Sequence, residues 1–231
     1  TWTGAYETVQ EGVDAITHTP PGSLPDSVLA AMKQNGTAWI PTLAVHTEAS
    51  HLTQHPDRLQ NDLLQAVADS AVLASYRDTA SIPRAMQAWM ETQSERRPTR
   101  MSAVGRGAEA GVPILAGTDA GNPGTFQGFS LHRELVLLIE AGLSTWGALE
   151  AATTAPGRFL DTPFGLQPGA RANLLVLDAS PIDDIRHTQD IHRVIYRGRL
   201  VDRAAVLDEA NQAHVPLDEG LDEGEVVAEH L

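Results

Sequence analysis

The sequence contains no cysteine. Disulfide bonds, thiolate nucleophiles and cysteine-ligated zinc are therefore excluded, and any metal ion must be bound by histidine, aspartate or glutamate. Basic residues are also few, with 16 Lys and Arg against 30 Asp and Glu, and the formal net charge is −14. This balance argues against a nucleic-acid partner or an anionic membrane surface. No run of residues is long and apolar enough to span a membrane.

The chain of 231 residues, 42% of them hydrophobic, has enough apolar material for one domain or two small ones. Three segments are predicted. Residues 1–162 alternate strand and helix patterns, residues 163–203 are β-rich, and residues 204–231 form an acidic C-terminal tail. The chain opens at Thr1 directly in a helical pattern, so we expect an upstream part of the same protein.

Three short apolar runs have the pattern of buried strands. They cover residues 13–18, 37–43 and 112–116, and a helix is predicted at 24–35 between the first two. A strand, helix, strand order with this spacing predicts a parallel crossover and an α/β fold. A barrel of this kind needs eight strands, so the three predicted here would require further strands to cover the exposed sheet edge.

Two of these runs end in a residue that can do chemistry. His18 follows the first run, and Asp119 follows the third after Gly117 and Thr118. Because functional groups collect at the C-terminal ends of parallel strands, the two side chains are candidates for a shared site. Imidazole nitrogen and carboxylate oxygen suit zinc and similar divalent ions. The alternatives are a turn aspartate and a hydrogen-bonded buried histidine.

The loops after the strands carry further candidates. His46 lies in residues 44–56, predicted as an extended loop, and helices are predicted at 57–78 and 83–110, the second broken near Pro98. Such an insertion is a typical substrate lid. Gly121 and Asn122 are expected to shape a pocket wall. A helix is predicted from Ser130, as N-cap, to residue 141, and His132 in its first turn is either a substrate contact or a structural residue.

Several stretches occur in one order along most of residues 4–203. They are residues 11–18, 40–43, 111–121, 130–135, 140–144, 148–153 and 169–178, followed by a hairpin through Gly198. Together they resemble the C-terminal half of a metal-dependent amidohydrolase, in the branch of imidazolonepropionase-like and Xaa-Pro dipeptidase-like hydrolases. The resemblance implies strands six to eight of a (β/α)8 TIM barrel with their helices, plus part of a small β-sandwich.

The resemblance also implies roles for the two strand-end residues. His18 corresponds to the metal-binding histidine of the sixth strand, and Asp119 to the eighth-strand aspartate that binds metal and shuttles a proton. One or two divalent ions, zinc first among them, are implied. The family's His-x-His on the first strand, carboxylated lysine on the fourth and histidine on the fifth have no counterpart, since the only lysine is Lys33 on a predicted outer helix. We therefore expect an upstream segment or a complementary chain to complete the site.

The activity implied is hydrolysis of a C–N bond in an amide, peptide or cyclic amide by a metal-activated hydroxide. The expected substrate is a small or dipeptide-like molecule, and assembly into a homo-oligomer is left open. Another leaving group, such as a phosphoester or an amine on a heterocycle, stays within the same superfamily because substrate choice depends on the loops. The alternative from a different class is a catalytically incomplete fragment or a non-enzymatic homologue of the same fold.

Overall fold

The computed structural model describes residues 1–162 and 166–212. Residues 163–165, where the β-rich segment was predicted to begin, and 213–231 of the predicted acidic tail lie outside the described residues. The predicted domain boundaries therefore stay predictions. No helix within the described ranges is long and apolar enough to cross a membrane.

Helices predominate in the first 160 residues, with two short strands near the N-terminus, and a small β unit follows. The helices are α1 (Trp2–Gln10), α2 (Asp26–Asn35), α3 (Leu43–Gln54), α4 (Asp62–Val67), α5 (Ser70–Arg77), α6 (Arg84–Glu109), α7 (Phe129–Glu140), α8 (Thr145–Ala152), α9 (Thr154–Phe159) and α10 (Arg203–Gln212), with 3-10 turns at Pro56–Gln60 and Ile185–Gln189. The strands are β1 (Ala15–Thr17), β2 (Ala38–Ile40), β3 (Leu174–Leu177), β4 (Ile191–Tyr196) and β5 (Arg199–Leu200).

The predicted parallel pairing is confirmed. Strands β1 and β2 are parallel, with Ile16 opposite Trp39. The third apolar run joins β2 from the other side through a parallel bridge between Trp39 and Ile114. Trp39 N–H donates to the carbonyl of Pro113 at 2.8 Å, and Leu115 N–H donates to the carbonyl of Trp39 at 2.9 Å. The three chain segments therefore lie side by side in sequence order, with β2 in the centre.

The central position of β2 explains the core around it. The Trp39 side chain is fully buried and meets Trp2 of α1 edge to face, with ring centroids 5.7 Å apart. At Gly117, just beyond the third run, an added Cβ would lie 2.5 Å from Ile40 Cγ2. Any residue with a Cβ would overlap the Ile40 side chain there, so glycine lets the third segment pack closely against β2.

The prediction of an extended loop at residues 44–56 was wrong. Residues 43–54 form helix α3, most of whose residues are buried. The helix polar face is formed by residues such as His46 and Glu48, which pack against other helices rather than against solvent. Tertiary contacts therefore stabilise a helix whose polar composition suggested a loop.

Three other helix predictions need correction. The single helix predicted at 57–78 is divided into the 3-10 turn Pro56–Gln60 and the helices α4 and α5. The expected break near Pro98 does not occur, because α6 continues from Arg84 to Glu109 with Pro98 inside it. Buried residues lie on both sides of the proline, so packing against the core compensates for the missing N–H. Ser130 is not the N-cap of α7, which begins after Gly128. Its hydroxyl instead accepts a hydrogen bond from Phe126 N–H at 2.7 Å.

The C-terminal β unit is a three-stranded antiparallel sheet in the order β3, β4, β5. The predicted hairpin around Arg197 and Gly198 is confirmed, and both residues have positive φ. The wider expectation of a partial TIM barrel and a partial β-sandwich stays a prediction, since three parallel segments and one small sheet are what the described residues contain.

Candidate active site

The three parallel segments end in the same unusual backbone conformation. His18, Thr42 and Asp119 have φ angles of 65°, 49° and 54°, which is the left-handed region. Non-glycine residues rarely adopt this conformation, and it costs the most for a β-branched residue such as threonine. Each segment therefore turns sharply at its end, and the turn directs the three side chains toward one another.

His18 and Asp119 are brought together as the sequence predicted. His18 Nε2 lies 3.9 Å from Asp119 Oδ2. The side chains remain 48% and 42% exposed, so they line an open edge of the sheet rather than the interior. A nitrogen and an oxygen at this separation form a half-exposed polar pair that a ligand can reach.

Thr42 fixes the orientation of the His18 ring. His18 Nδ1 lies 2.8 Å from Thr42 Oγ1, and the same hydroxyl donates to the carbonyl of Pro41 at 2.8 Å. A threonine hydroxyl has a single hydrogen, and here that hydrogen is donated to the Pro41 carbonyl. The Thr42 oxygen is then left to accept a hydrogen bond from His18 Nδ1–H. We infer from these two contacts that His18 carries its hydrogen on Nδ1, which leaves the Nε2 lone pair facing Asp119. A metal-binding histidine has this arrangement when its other nitrogen donates to a neighbouring group.

His46 belongs to the same cluster but is shielded from solvent. Its ring lies edge to face with His18, with centroids 6.0 Å apart, and its Nε2 is buried without a hydrogen-bond partner among the described residues. Burial, with smaller effects of the nearby charges of Arg100 and His18, lowers the pKa of His46 to about 3. His46 is therefore a neutral ring that packs behind His18, and its predicted contact with substrate stays a prediction.

A buried cation stands on the other side of this cluster. The Arg100 side chain of α6 is buried, and its Nε donates to the carbonyl of Thr19 at 3.1 Å, just after His18. Burial lowers the pKa of Arg100 to about 10, with a smaller effect from Arg96. Arg100 therefore ties α6 to the end of β1 while it remains protonated at neutral pH.

Glu134 is a site residue that the sequence reasoning did not single out. Its side chain is fully buried on α7, and its two carboxylate oxygens accept from Leu43 N–H at 3.0 Å and Ala44 N–H at 2.7 Å. These are free donors in the first turn of α3. Glu134 thus caps α3 directly after Thr42 and holds the end of β2 in place. The signal was its position within the motif at residues 130–135.

The electrostatics of Glu134 are set by two opposing effects. Burial raises the pKa of its carboxyl to about 8, while the two backbone hydrogen bonds act in the opposite direction and nearby Glu48 adds to the rise. Desolvation prevails, because no cation pairs with Glu134 among the described residues. The α3 N-terminus is therefore capped by a carboxyl group that titrates near neutral pH.

A second contact between α3 and α7 is an ion pair. Arg133 Nε and Nη2 donate to the two oxygens of Glu48 at 3.0 and 3.2 Å. The Glu48 side chain is only 1% exposed, so this bidentate pair is almost completely shielded from water. Residues 133 and 134 together therefore fix α3 against α7, and with it His46.

The loop after Asp119 is closed by its own polar side chains. Asn122 Nδ2 donates to the Asp119 carbonyl at 2.9 Å, and Thr125 Oγ1 lies 2.8 Å from the Asn122 carbonyl and 3.2 Å from that of Asp119. Its one hydrogen is donated to the nearer carbonyl, that of Asn122. Gly121, with φ of 109°, provides the sharp turn between them. The sequence predicted Gly121 and Asn122 to shape a pocket wall, and both residues line a cleft next to Asp119. Contact of either with substrate stays a prediction.

His132 is placed differently from the other candidates. Its Nδ1 lies 2.9 Å from Thr188 Oγ1, in the 3-10 turn before β4, and burial lowers the pKa of its ring. His132 joins α7 to the C-terminal β unit, as expected if its role is structural. Its assignment as a substrate contact stays a prediction.

The metal-binding capacity of the pair is limited by number rather than by chemistry. Among residues 1–162 and 166–212, no three His, Asp or Glu side chains are grouped so as to hold a metal ion. Two zinc ligands at a tetrahedral angle lie about 3.4 Å apart, so the 3.9 Å between His18 Nε2 and Asp119 Oδ2 is about half an ångström longer than a direct fit. The two half-exposed side chains have the donor atoms that zinc prefers, and a small movement of either would bring them to that separation.

Comparison with other proteins gives a consistent but partial match. No family model matches the chain. Uncharacterized proteins of Mycobacterium tuberculosis and Mycobacterium bovis are 32% identical to it over 191 residues. The match covers 83% of this chain and 43% of those proteins, so the chain spans less than half the length of the curated relatives it matches.

Solved structures of similar fold include proteins that are hydrolases by name. An Xaa-Pro dipeptidase with bound methionine superposes with a TM-score of 0.63 at 22% identity, over 86% of this chain and 42% of its own. A proposed prolidase from Bifidobacterium longum has a TM-score of 0.61 at 29% identity, and the match covers 90% of this chain and 49% of that protein. An amidohydrolase has a TM-score of 0.61 at 21% identity, and the match covers 87% of this chain and 42% of that protein. Over most of its residues, this chain therefore shares its fold with proteins named as a dipeptidase, a prolidase and an amidohydrolase.

Proposed function

We propose that the chain is part of a metal-dependent hydrolase that cleaves a C–N bond in an amide, peptide or cyclic amide. The observation that supports this most is the convergence of His18 Nε2 and Asp119 Oδ2, 3.9 Å apart, at the ends of two parallel segments. The setting adds to it, because the fold is shared with proteins named as dipeptidase, prolidase and amidohydrolase. Strand ends are where such folds carry chemistry.

In this proposal the two residues have separate roles. His18 binds a divalent ion, zinc first among the candidates, through Nε2, while Thr42 holds Nδ1. The ion, when bound, lowers the pKa of a water molecule and polarises the substrate carbonyl. Asp119 is both a ligand and the proton carrier: its carboxylate takes a proton from the attacking water and delivers it to the leaving nitrogen. The substrate is a small or dipeptide-like amide.

The remaining ligands would come from a segment outside the described residues, either of the same polypeptide or of a complementary chain. This requirement favours a second candidate as well. Since only two ligands converge within the described residues, the chain fits equally a homologue of the same fold that lacks a complete metal site. The two candidates differ in metal content and in turnover, so one set of measurements separates them.

The test is Asp119→Asn in the intact protein, assayed with zinc against a panel of Xaa-Pro dipeptides and N-acyl amides. Loss of the proton carrier is expected to lower kcat by about 10²- to 10⁴-fold. Asp161→Asn is the matched control, because Asp161 is an exposed aspartate that also has a positive φ, of 49°, but lies outside the site. Asparagine tolerates that conformation equally well, so the control should keep full activity.

Unchanged turnover in Asp119→Asn, with metal still bound, would refute the assignment of Asp119. No hydrolysis of any substrate together with no bound metal in the intact wild-type protein would favour the non-enzymatic homologue instead.

A further inference from the structure

A cleft of about 520 Å³ opens beside the loop that follows Asp119. It lies between α5, the beginning of α6 and residues 121–127. Its polar lining comes from neutral groups, and none of the described side chains that line it is charged. The larger apolar side chains in its lining are Val72, Tyr76, Ile82, Met86, Met90 and Phe126.

The walls of this cleft are held in place by specific contacts. Tyr76 and Phe126 meet edge to face, with ring centroids 6.4 Å apart, and join α5 to the loop. The backbone of Gly124 hydrogen bonds to the Tyr76 hydroxyl, whose pKa is raised by burial. Gly124 itself has φ of 79°, and an added Cβ would lie 2.3 Å from Ala49 N of α3. The cleft is therefore formed before any ligand binds.

The same loop connects the cleft to the candidate active site. Asn122 and Thr125 line the cleft; Asn122 Nδ2 donates to the carbonyl of Asp119, and Thr125 Oγ1 lies within 3.2 Å of that carbonyl and 2.8 Å from the carbonyl of Asn122. A group that occupies the cleft would thus touch the residues that fix the Asp119 backbone. Small-molecule sites commonly have this size and this composition, an apolar lining with a few polar groups at one side.

We propose that this cleft binds an uncharged apolar group of the substrate, aliphatic or aromatic, next to the bond that is cleaved. That the bound group belongs to a substrate rests on the proposed function, whereas the preference for an apolar group rests on the lining of the cleft. The lack of charge in the lining disfavours a carboxylate or an ammonium group, since either would be desolvated without a partner. The two methionines adapt to groups of different shape, so aromatic and branched aliphatic groups are both accommodated.

Methyl NMR of methionine-labelled protein tests this without any need for turnover. The chain has four methionines, of which Met86 and Met90 line the cleft, while Met32 and Met101 are buried in the main core. On titration with 3-phenylpropionamide, the Met86 and Met90 methyl signals should shift and saturate. The Met32 and Met101 signals should stay in place, and acetamide, which lacks the apolar group, should have no effect at equal concentration.

A filled cleft provides the matched variant. Ser75 is exposed on α5 and lines the cleft, so Ser75→Phe should weaken the response to 3-phenylpropionamide at least tenfold. Ser102→Phe is the control, because Ser102 is also an exposed helical serine but lies outside the cleft. Should Ser75→Phe fail to fold, Met86→Ala removes part of the lining and should weaken the response in the same direction.

Shifts of all four methyl signals, an equal response to acetamide, or no response at all would overturn the proposal. Activity of the intact protein separates it from the proposed function. If hydrolysis occurs but Ser75→Phe does not lower kcat/KM for apolar substrates relative to small ones, the cleft assignment fails alone. If the methyl signals respond but no amide is hydrolysed, the proposed hydrolase function fails alone.

Discussion

His18 Nδ1 lies 2.8 Å from Thr42 Oγ1, and this contact joins the ends of β1 and β2. Because the Thr42 hydroxyl also donates to the Pro41 carbonyl, one side chain determines which His18 nitrogen keeps its hydrogen. Thr42 adopts a left-handed backbone to do so, with φ of 49°, which is costly for a β-branched residue. We infer that the position of this hydroxyl compensates for the strain.

Thr42→Val is expected to release the His18 ring and its tautomer. Valine keeps the shape and the β-branching but has no hydroxyl, so Nδ1 loses its acceptor. Long-range ¹H–¹⁵N NMR should show the Nδ1–H form in the wild type and a change of tautomer population in the variant. In the intact protein, zinc affinity should fall by about 10- to 100-fold.

Thr42→Ser is the control for this change, since it restores the hydroxyl. It should recover both the tautomer and the zinc affinity. The same Nδ1–H population in Thr42→Val as in the wild type would contradict the role given to Thr42.

Glu134 makes the stability of the fold depend on pH in an unusual direction. Its carboxyl has a pKa of about 8 in the folded chain against an ordinary value of 4.5. The folded state therefore holds a proton that the unfolded state has lost, and this contribution to stability decreases as pH rises from 4.5 to 8. Between pH 6.5 and 8, the wild type should lose about 2 kcal/mol of unfolding free energy relative to Glu134→Gln.

Urea unfolding at pH 6.5, 7.0, 7.5 and 8.0 measures this difference. Glutamine retains an oxygen acceptor for the first turn of α3 and cannot ionise, so its stability should lack the Glu134 slope. Parallel curves for the two proteins across this range would show that the two backbone hydrogen bonds outweigh burial and keep Glu134 ionised.

The sequence predicted the parallel segments well for a physical reason. Apolar runs between glycines, such as residues 112–116, are buried on both faces of a sheet, and their pattern depends on neither partner nor ligand. The placement of His18 and Asp119 followed from the position of each residue directly after such a run. Nothing beyond the order of strand, helix and strand was needed to expect that the two side chains meet.

Helix α3 was missed because its stability comes from other elements. Residues 43–54 are polar enough to suggest a loop, but Glu134 and Arg133, some ninety residues further along, cap the helix and pair with Glu48. Local propensity contains no information about partners so distant in sequence. The same applies to Thr42, whose role depends on where β1 ends rather than on its own neighbours.

Removal of one partner of the Glu48–Arg133 pair is expected to lower the unfolding free energy strongly, whereas removal of both charges is expected to lower it much less. Arg133→Met leaves a Glu48 carboxylate that is 1% exposed without its cation, which should cost about 3 to 5 kcal/mol of unfolding free energy. The double variant with Glu48→Gln removes both charges and should recover at least half of that loss. Chemical unfolding at one pH measures all three proteins.

Arg158→Met provides the matched control for this pair. Arg158 pairs with Glu150 at 2.6 Å, but the side chains are 64% and 39% exposed, so the change should cost less than about 1 kcal/mol. If Arg133→Met cost no more unfolding free energy than this control, burial of the Glu48 carboxylate would not make the loss of its cation costly.

His46 gives the opposite pH dependence from Glu134. Its pKa of about 3 in the folded chain lies below the ordinary 6.5, so the unfolded state binds a proton that the folded state does not. This contribution to stability is present above pH 6.5 and decreases as pH falls.

In a Glu134→Gln background, which removes the opposing slope, the unfolding free energy should therefore fall by about 1.4 kcal/mol per pH unit between pH 6.5 and 5. Adding His46→Leu should remove most of that slope, while an unchanged slope would mean that the His46 ring can take up a proton in the folded chain. Because Nε2 of His46 is buried without a partner, leucine is not expected to cost a hydrogen bond there. The difference in slope then measures the shielding of the ring that packs behind His18.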